Sequence, residues 1–185
     1  TLAAGTTANS HPITLMGGMS SIDIPATANN LTIAGIISGA GGLNKTGAGT
    51  LTLTGANSFT GPLTITQGRL ISGNNIFGDA TPVIIGASAA WEMTNSDAIG
   101  SLAGSGTLVW NGASQFGINV GGDNSNTTFS GTITNIGSRT DHNFSKRGSG
   151  VLTLNMPTSA ALSGGNTYID AGVLRVATGA GQQFN

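Results

Sequence analysis

With 185 residues, only 7% of them charged and a formal net charge of −1, the chain excludes a basic nucleic-acid binder and a self-repelling disordered polymer. Glycine accounts for 31 positions, yet Leu, Ile, Val and Phe together number 42, too many for a chain that cannot bury a core. The absence of cysteine excludes disulfides, thiol chemistry and Cys-based metal sites.

Alternation of apolar with polar residues predicts strands near 12–16, 20–25, 31–38, 50–54, 62–66, 69–72, 82–86, 90–94, 106–110, 116–120, 127–134, 151–154, 167–170 and 173–177. Leu51/Leu53, Leu63/Ile65 and Leu152/Leu154 show the pattern most cleanly. Gly or Pro interrupts almost every ten-residue window, so no helical stripe is expected. Many short strands joined by Gly, Asn and Ser turns leave a sandwich or a solenoid. The chain opens Thr1-Leu2-Ala3-Ala4-Gly5, with neither initiator Met nor signal peptide, and reads as an excised or processed segment. No apolar run reaches the length of a membrane helix.

A duplicated phrase decides between the two architectures. Lys45-Thr46-Gly47-Ala48-Gly49-Thr50-Leu51-Thr52-Leu53-Thr54 is answered by Lys146-Arg147-Gly148-Ser149-Gly150-Val151-Leu152-Thr153-Leu154-Asn155. The likeness extends upstream, Leu31–Gly39 against Thr127–Asn135, and downstream, Leu63–Leu70 against Thr167–Leu174. Internal copies at about 31–72 and 127–177, within one segment spanning 1–185, favour the solenoid. The offset between copies drifts, and small loop insertions that leave strand register intact are the expected cause. At the usual repeat scale the chain makes roughly seven to nine coils, a rod about 35–45 Å long.

Three stretches carry a family resemblance: Ile37–Gly61 with its Lys45-Thr46-Gly47-Ala48-Gly49 core, Ile99-Gly100-Ser101-Leu102-Ala103-Gly104-Ser105-Gly106-Thr107-Leu108, and Asn124-Ser125-Asn126-Thr127-Thr128-Phe129-Ser130-Gly131-Thr132-Ile133. They resemble the autotransporter-associated β-strand repeat of type V secretion passenger domains. The copy around Lys146 departs from that pattern, with Met156-Pro157-Thr158-Ser159-Ala160-Ala161-Leu162 in place of the Gly-Ala-Asn-Ser-Phe-Thr-Gly turn. The resemblance implies a right-handed parallel β-helix outside a diderm bacterium, exported across the outer membrane and not itself catalytic. A translocator barrel or an autoproteolysis site would lie outside this chain.

Residues with chemical potential are few. Asp79, Glu92 and Asp97 are the only close carboxylate group. Glycosidases need two carboxylates facing one cleft, and these three read instead as solvated turn residues. Asp141-His142 with Ser138 or Ser145 invites a triad, but adjacency supplies neither convergence nor an oxyanion hole, and His142 reads as part of an insertion. His11 and His142 make no metal site without further ligands. Gly121-Gly122-Asp123-Asn124 reads as a turn with an Asp side chain. Gly47-Ala48-Gly49 and Gly104-Ser105-Gly106 have no following helix to make a phosphate loop. Arg139, Lys146 and Arg147 read as a polar loop face, and Trp91 and Trp110 as core, edge-covering or sugar-stacking residues. Thr-x-Thr at Thr50–Thr52, Thr64–Thr66 and Thr132–Thr134 would suit ice binding only as one flat rank.

No catalytic, cofactor or metal residue is therefore assigned. The expected function is a non-enzymatic extracellular stalk, scaffold or adhesin segment. The competing reading is a filament subunit stacked end to end through uncovered strand edges. Expected partners are neighbouring coils of the same chain or of identical subunits, with host-surface or matrix glycans as outside candidates, and neither nucleic acid nor membrane.

Overall fold

The computed structural model describes residues 6–73, 76–137, 141–157 and 165–177. Among them the chain forms nineteen strands and no helix, and every strand pairing is parallel. The result is a β-solenoid of about seven turns, each turn running over three faces.

The first face stacks β1 (Thr6–Asn9), β4 (Asn30–Ile33), β7 (Thr50–Leu53), the second halves of β8 (Leu63–Ser72) and β9 (Pro82–Met93), β12 (Thr107–Trp110) and β15 (Thr132–Asn135). The second face comprises β2 (Ile13–Leu15), β5 (Ile37–Gly39), β10 (Asp97–Ile99), β13 (Gly117–Val120), β16 (Asn143–Lys146) and β18 (Thr167–Ile169). Below β5 this face continues without a regular strand, through Ser58 N–H to Ile37 O at 2.8 Å and Thr60 N–H to Gly39 O at 3.0 Å. The third face stacks β3 (Met19–Asp23), β6 (Gly42–Thr46), the first halves of β8 and β9, β11 (Ser101–Gly104), β14 (Thr127–Phe129), β17 (Val151–Leu154) and β19 (Val173–Val176).

Alternation puts one residue of each pair inside, and parallel register stacks like positions into columns. Leu51, Leu70, Trp91, Leu108 and Ile133 form one such column, each paired with the next and each buried. Leu43, Leu63, Val83 and Leu102 form another on the third face. Phe59, Phe77 and Trp91 fill the lumen between columns, edge to face at centroid distances of 6.2 and 5.8 Å. Full burial of each such side chain contributes roughly 1.5–3 kcal/mol, so the core is a continuous column rather than one centre.

Several boundaries differ from expectation. The spans 31–38 and 127–134 each split into two strands, because Ala34-Gly35 and Ser130-Gly131 turn corners. The separate strands at 62–66 and 69–72 are one strand, β8, and those at 82–86 and 90–94 are β9; pairing carries on round the corner past an irregularity between Ile65 and Gln67. β1, β6, β10, β11 and β16 were not expected as strands.

The drift between the repeat copies is larger in effect than a loop insertion. Leu31, Lys45, Leu51, Leu63 and Leu70 lie on faces one, three, one, three and one; Thr127, Lys146, Leu152, Thr167 and Leu174 lie on faces three, two, three, two and three. The second copy is turned by one whole face about the solenoid axis. Coil length varies enough to do this: Val83 pairs with Leu102, nineteen residues on, and Gly104 with Phe129, twenty-five on. Within each copy register is kept, as Leu51 pairs with Leu70 and Leu152 with Leu174.

The column predicts unequal mutational costs. Leu63→Ala is expected to lower unfolding stability by about 2–5 kcal/mol, and Thr128→Ala, at an exposed position, by less than about 0.5 kcal/mol. Denaturant titration of the two variants measures both.

Candidate functional site

The duplicated phrase builds two like corners around a buried lysine. Lys45 is the penultimate residue of β6, at 0% exposure, and Lys146 ends β16 at 1%. Lys45 Nζ donates to the carbonyls of Thr46 (2.8 Å), Gly47 (2.7 Å) and, in the next coil, Gln67 (3.1 Å). Lys146 Nζ donates to the carbonyl of Arg147, to that of Gly148 (2.9 Å) and, in the next coil, to that of Ala171 (3.4 Å). These carbonyls converge on the turn, and an ammonium with three donors bonds to all of them, sharing that of Thr46 with the Ile24 N–H at 3.1 Å.

Glycine closes the same corners. Gly68 and Gly172 both have positive φ, +76° and +68°, and lie against the turn above: a Cβ on Gly68 would meet Gly47 O at 2.4 Å and Gly49 O at 2.5 Å. On Gly172 it would meet Gly148 O at 2.4 Å and Gly150 O at 2.5 Å. An acid from the preceding coil faces each lysine, Asp23 for Lys45 and Asp123 for Lys146. Burial nevertheless dominates, lowering Lys45 to about 8 and pulling Lys146 down from the ordinary lysine value. Lys146 therefore does not belong to a polar loop face; only Arg147 of that cluster is an exposed pair, to Asp170 at 3.2 Å, and Arg139 lies outside the described residues. The signal that could have placed both lysines is parity: each stands two positions after an inward apolar residue, Leu43 or Phe144.

Two of the three neighbouring carboxylates are also internal, against expectation. Glu92 is 3% exposed, paired with Arg69 and accepting from Asn111 Nδ2 at 2.6 Å. Asp97 is 1% exposed and accepts from the N–H groups of Ile76 (3.2 Å) and Ala98 (2.9 Å). Where the irregular chain at 76–77 offers backbone donors without a strand opposite, Asp97 stands in for the missing ladder. Only Asp79 is the exposed turn residue expected. Each buried carboxylate is thus committed to a neighbouring coil.

The remaining candidates resolve as packing. His142 is buried, its ring 5.0 Å from Trp110 and 4.1 Å from Phe116; Ser145 lies in β16 in register with Asn119, and Ser138 lies outside the described residues. His11 is an exposed turn residue bonded to Asn9. Both tryptophans are core: Trp91 Nε1 donates to Ser72 Oγ at 2.8 Å, and Trp110 stacks on Phe116 at 5.5 Å. Asp123 caps its turn, accepting from Ser125 N–H (2.9 Å) and Ser101 Oγ (2.7 Å). Thr52 and Thr134 share the first face, but Ile71, Glu92 and Val109 stand between them, and Thr64 is on the third face; no flat rank forms. Among the described residues no group of three His, Asp or Glu gathers that could hold a metal. The departure noted after Leu154 is described only for Met156 and Pro157; 158–162 lie outside the described residues.

The family model for the passenger-associated-transport-repeat matches residues 43–71 and 144–176, the two spans that hold the lysine corners; Ile99–Leu108 and Asn124–Ile133 fall outside them. The chain is also similar to the autotransporter adhesin BmaC of Brucella suis biovar 1 (strain 1330), with 34% identity over 167 residues, 87% of this chain and 5% of that adhesin. It therefore spans about one-twentieth of that relative's length. No solved structure matches. Two segments of this β-solenoid thus match the passenger-associated transport repeat.

Burial raises the Asp97 carboxyl to about 7, outweighing the N–H groups that favour its charge. Between pH 3.8, the ordinary value, and 7 the native chain holds a proton the unfolded chain has shed. The resulting stability is fully present below 3.8 and is lost as pH rises through 7. Asp97→Asn should remove this dependence, so the wild type should lose on the order of 1–4 kcal/mol relative to the variant between pH 4 and 8, as read by urea unfolding at each pH.

Proposed function

We propose that this chain is a non-enzymatic scaffold segment in the passenger of a surface-displayed bacterial adhesin, reaching the cell exterior by the autotransporter route. One observation carries the reading: polar burial is spent on joining coils. Lys45 bonds to Gln67, Lys146 to Ala171, Asp97 to Ile76, Glu92 to Asn111 and Trp91 to Ser72, each partner about one coil away. A reactive site needs groups held for a ligand; these are held for one another. The similarity to an adhesin and the repeat match support the surface setting, and the segment's partners in this role are its neighbouring coils.

The test exchanges these coils, within the full-length protein, for an equal number from an unrelated β-solenoid. Surface display and host-cell adhesion should both persist. Normal display with adhesion lost would transfer the binding role, to glycan or matrix, onto this segment.

End-to-end stacking is the second reading. The coil at Thr167–Val176 bears an open cleft of about 310 Å³ lined by Thr167, Ile169, Leu174 and Val176, an apolar seat for a further coil. Sedimentation of the isolated chain should show species growing with concentration if identical subunits fill it, and a single monomeric boundary at high concentration counts against that.

A further inference from the structure

We propose that the two lysine corners are latches: they halt coil-by-coil unwinding at two fixed positions, so that a solenoid under tension yields there last. The use of such latches rests on the scaffold reading; their existence rests on geometry alone. Elsewhere successive coils are joined by neutral ladder bonds, which open singly from an exposed edge, and by single charged contacts between two coils, such as Arg147 with Asp170. At Lys45 and Lys146 three consecutive coils meet one charge. The coil above presents Asp23 or Asp123, the lysine's own coil supplies two carbonyls, and the coil below supplies Gln67 O or Ala171 O.

Peeling the lower coil strips one acceptor from an ammonium that stays buried with the rest of its shell. Charge-assisted bonds are roughly twice as strong as neutral ones, and an undersatisfied buried cation is the costly state. Peeling must also part Gly68 from the Gly47 turn, or Gly172 from the Gly148 turn, where the backbones lie too close to admit a Cβ. The two latches are on different edges. Lys45 stands between the third and first faces and Lys146 between the second and third, so an opening that runs along one edge does not release both.

The experiment stretches the whole chain between its ends in an optical trap at constant force. Two long-lived intermediates are expected. Lys45→Met should shorten the lifetime of one by roughly tenfold or more, equivalent to about 1.4 kcal/mol of barrier, and leave the other; Lys146→Met should do the reverse, and Asp97→Asn should change neither. Unchanged lifetimes in both lysine variants, or loss of both intermediates in either one, overturns the latch. Should a variant not fold, native-state hydrogen exchange of the unaltered chain decides. The amides of Arg69 and Val173, which bond across the latched corners to Gly49 O and Gly150 O, should exchange more slowly than that of Thr132, which bonds to Gly106 O at a corner without lysine. Equal protection at all three refutes the proposal. Adhesion enters neither readout, so failure of the latch and failure of the scaffold reading are separately visible.

Discussion

Parallel stacking at about 4.8 Å governs everything else in this molecule. Each residue must sit over a counterpart one coil away, and the coil must turn three times without breaking that relation. On the faces the requirement is easily met, since strands pair and like side chains stack. At the corners it is not. Some corner carbonyls still bond along the axis, but others converge on the turn, and each of those needs a donor or water. The chain answers with glycine where coils must close up and with a buried lysine where carbonyls converge. That pairing of residue types is what the duplicated phrase encodes.

Burying an ammonium is costly, and the depressed values at Lys45 and Lys146 record that cost. Three considerations offset it. Each ammonium has three donors and finds three carbonyls; each has a carboxylate in the preceding coil; and removing the lysine would take a donor from each of those carbonyls. Arg69, by contrast, keeps its guanidinium part-exposed against the buried Glu92, as suits a planar group with five donors. The same logic explains Asp97: where a face lacks a strand, backbone N–H groups are left over, and a carboxylate supplies the acceptors.

Solenoid architecture was legible because it rests on period-2 alternation and duplication, both visible in residues such as Leu51, Leu53, Leu152 and Leu154. Its finer geometry was less so. Gly42-Leu43-Asn44-Lys45 and Asn143-Phe144-Ser145-Lys146 went without a strand assignment because they carry glycine, amide and charge, all unfavourable to an ordinary strand; their partners lie about twenty residues away and are invisible to any local window. β8 and β9 read as pairs of strands because Gly68 and Gly86-Ala87-Ser88 look like breaks, although pairing resumes past them. Glu92 and Asp97 read as solvated because charge usually is, and only the coils above and below show what they bond. Rotation of the second copy was hidden for a different reason: sequence reports the distance between copies, but the phase on a three-sided coil depends on every corner length in between.

That rotation says what kind of unit the repeat is. A whole-coil repeat would return to the same face, and its copies would build one continuous outward surface. Here the corner is the conserved element of the pair, and the copies look out in different directions, Thr50 and Thr52 on the first face, Val151 and Thr153 on the third. The module prescribes backbone path and coil-to-coil bonding while leaving outward side chains, and the direction they face, unconstrained. A fold specified at its corners can be lengthened or phased by changing corner lengths without disturbing its core. Any ligand-binding surface it displays is then written on the faces independently of what holds the coils together.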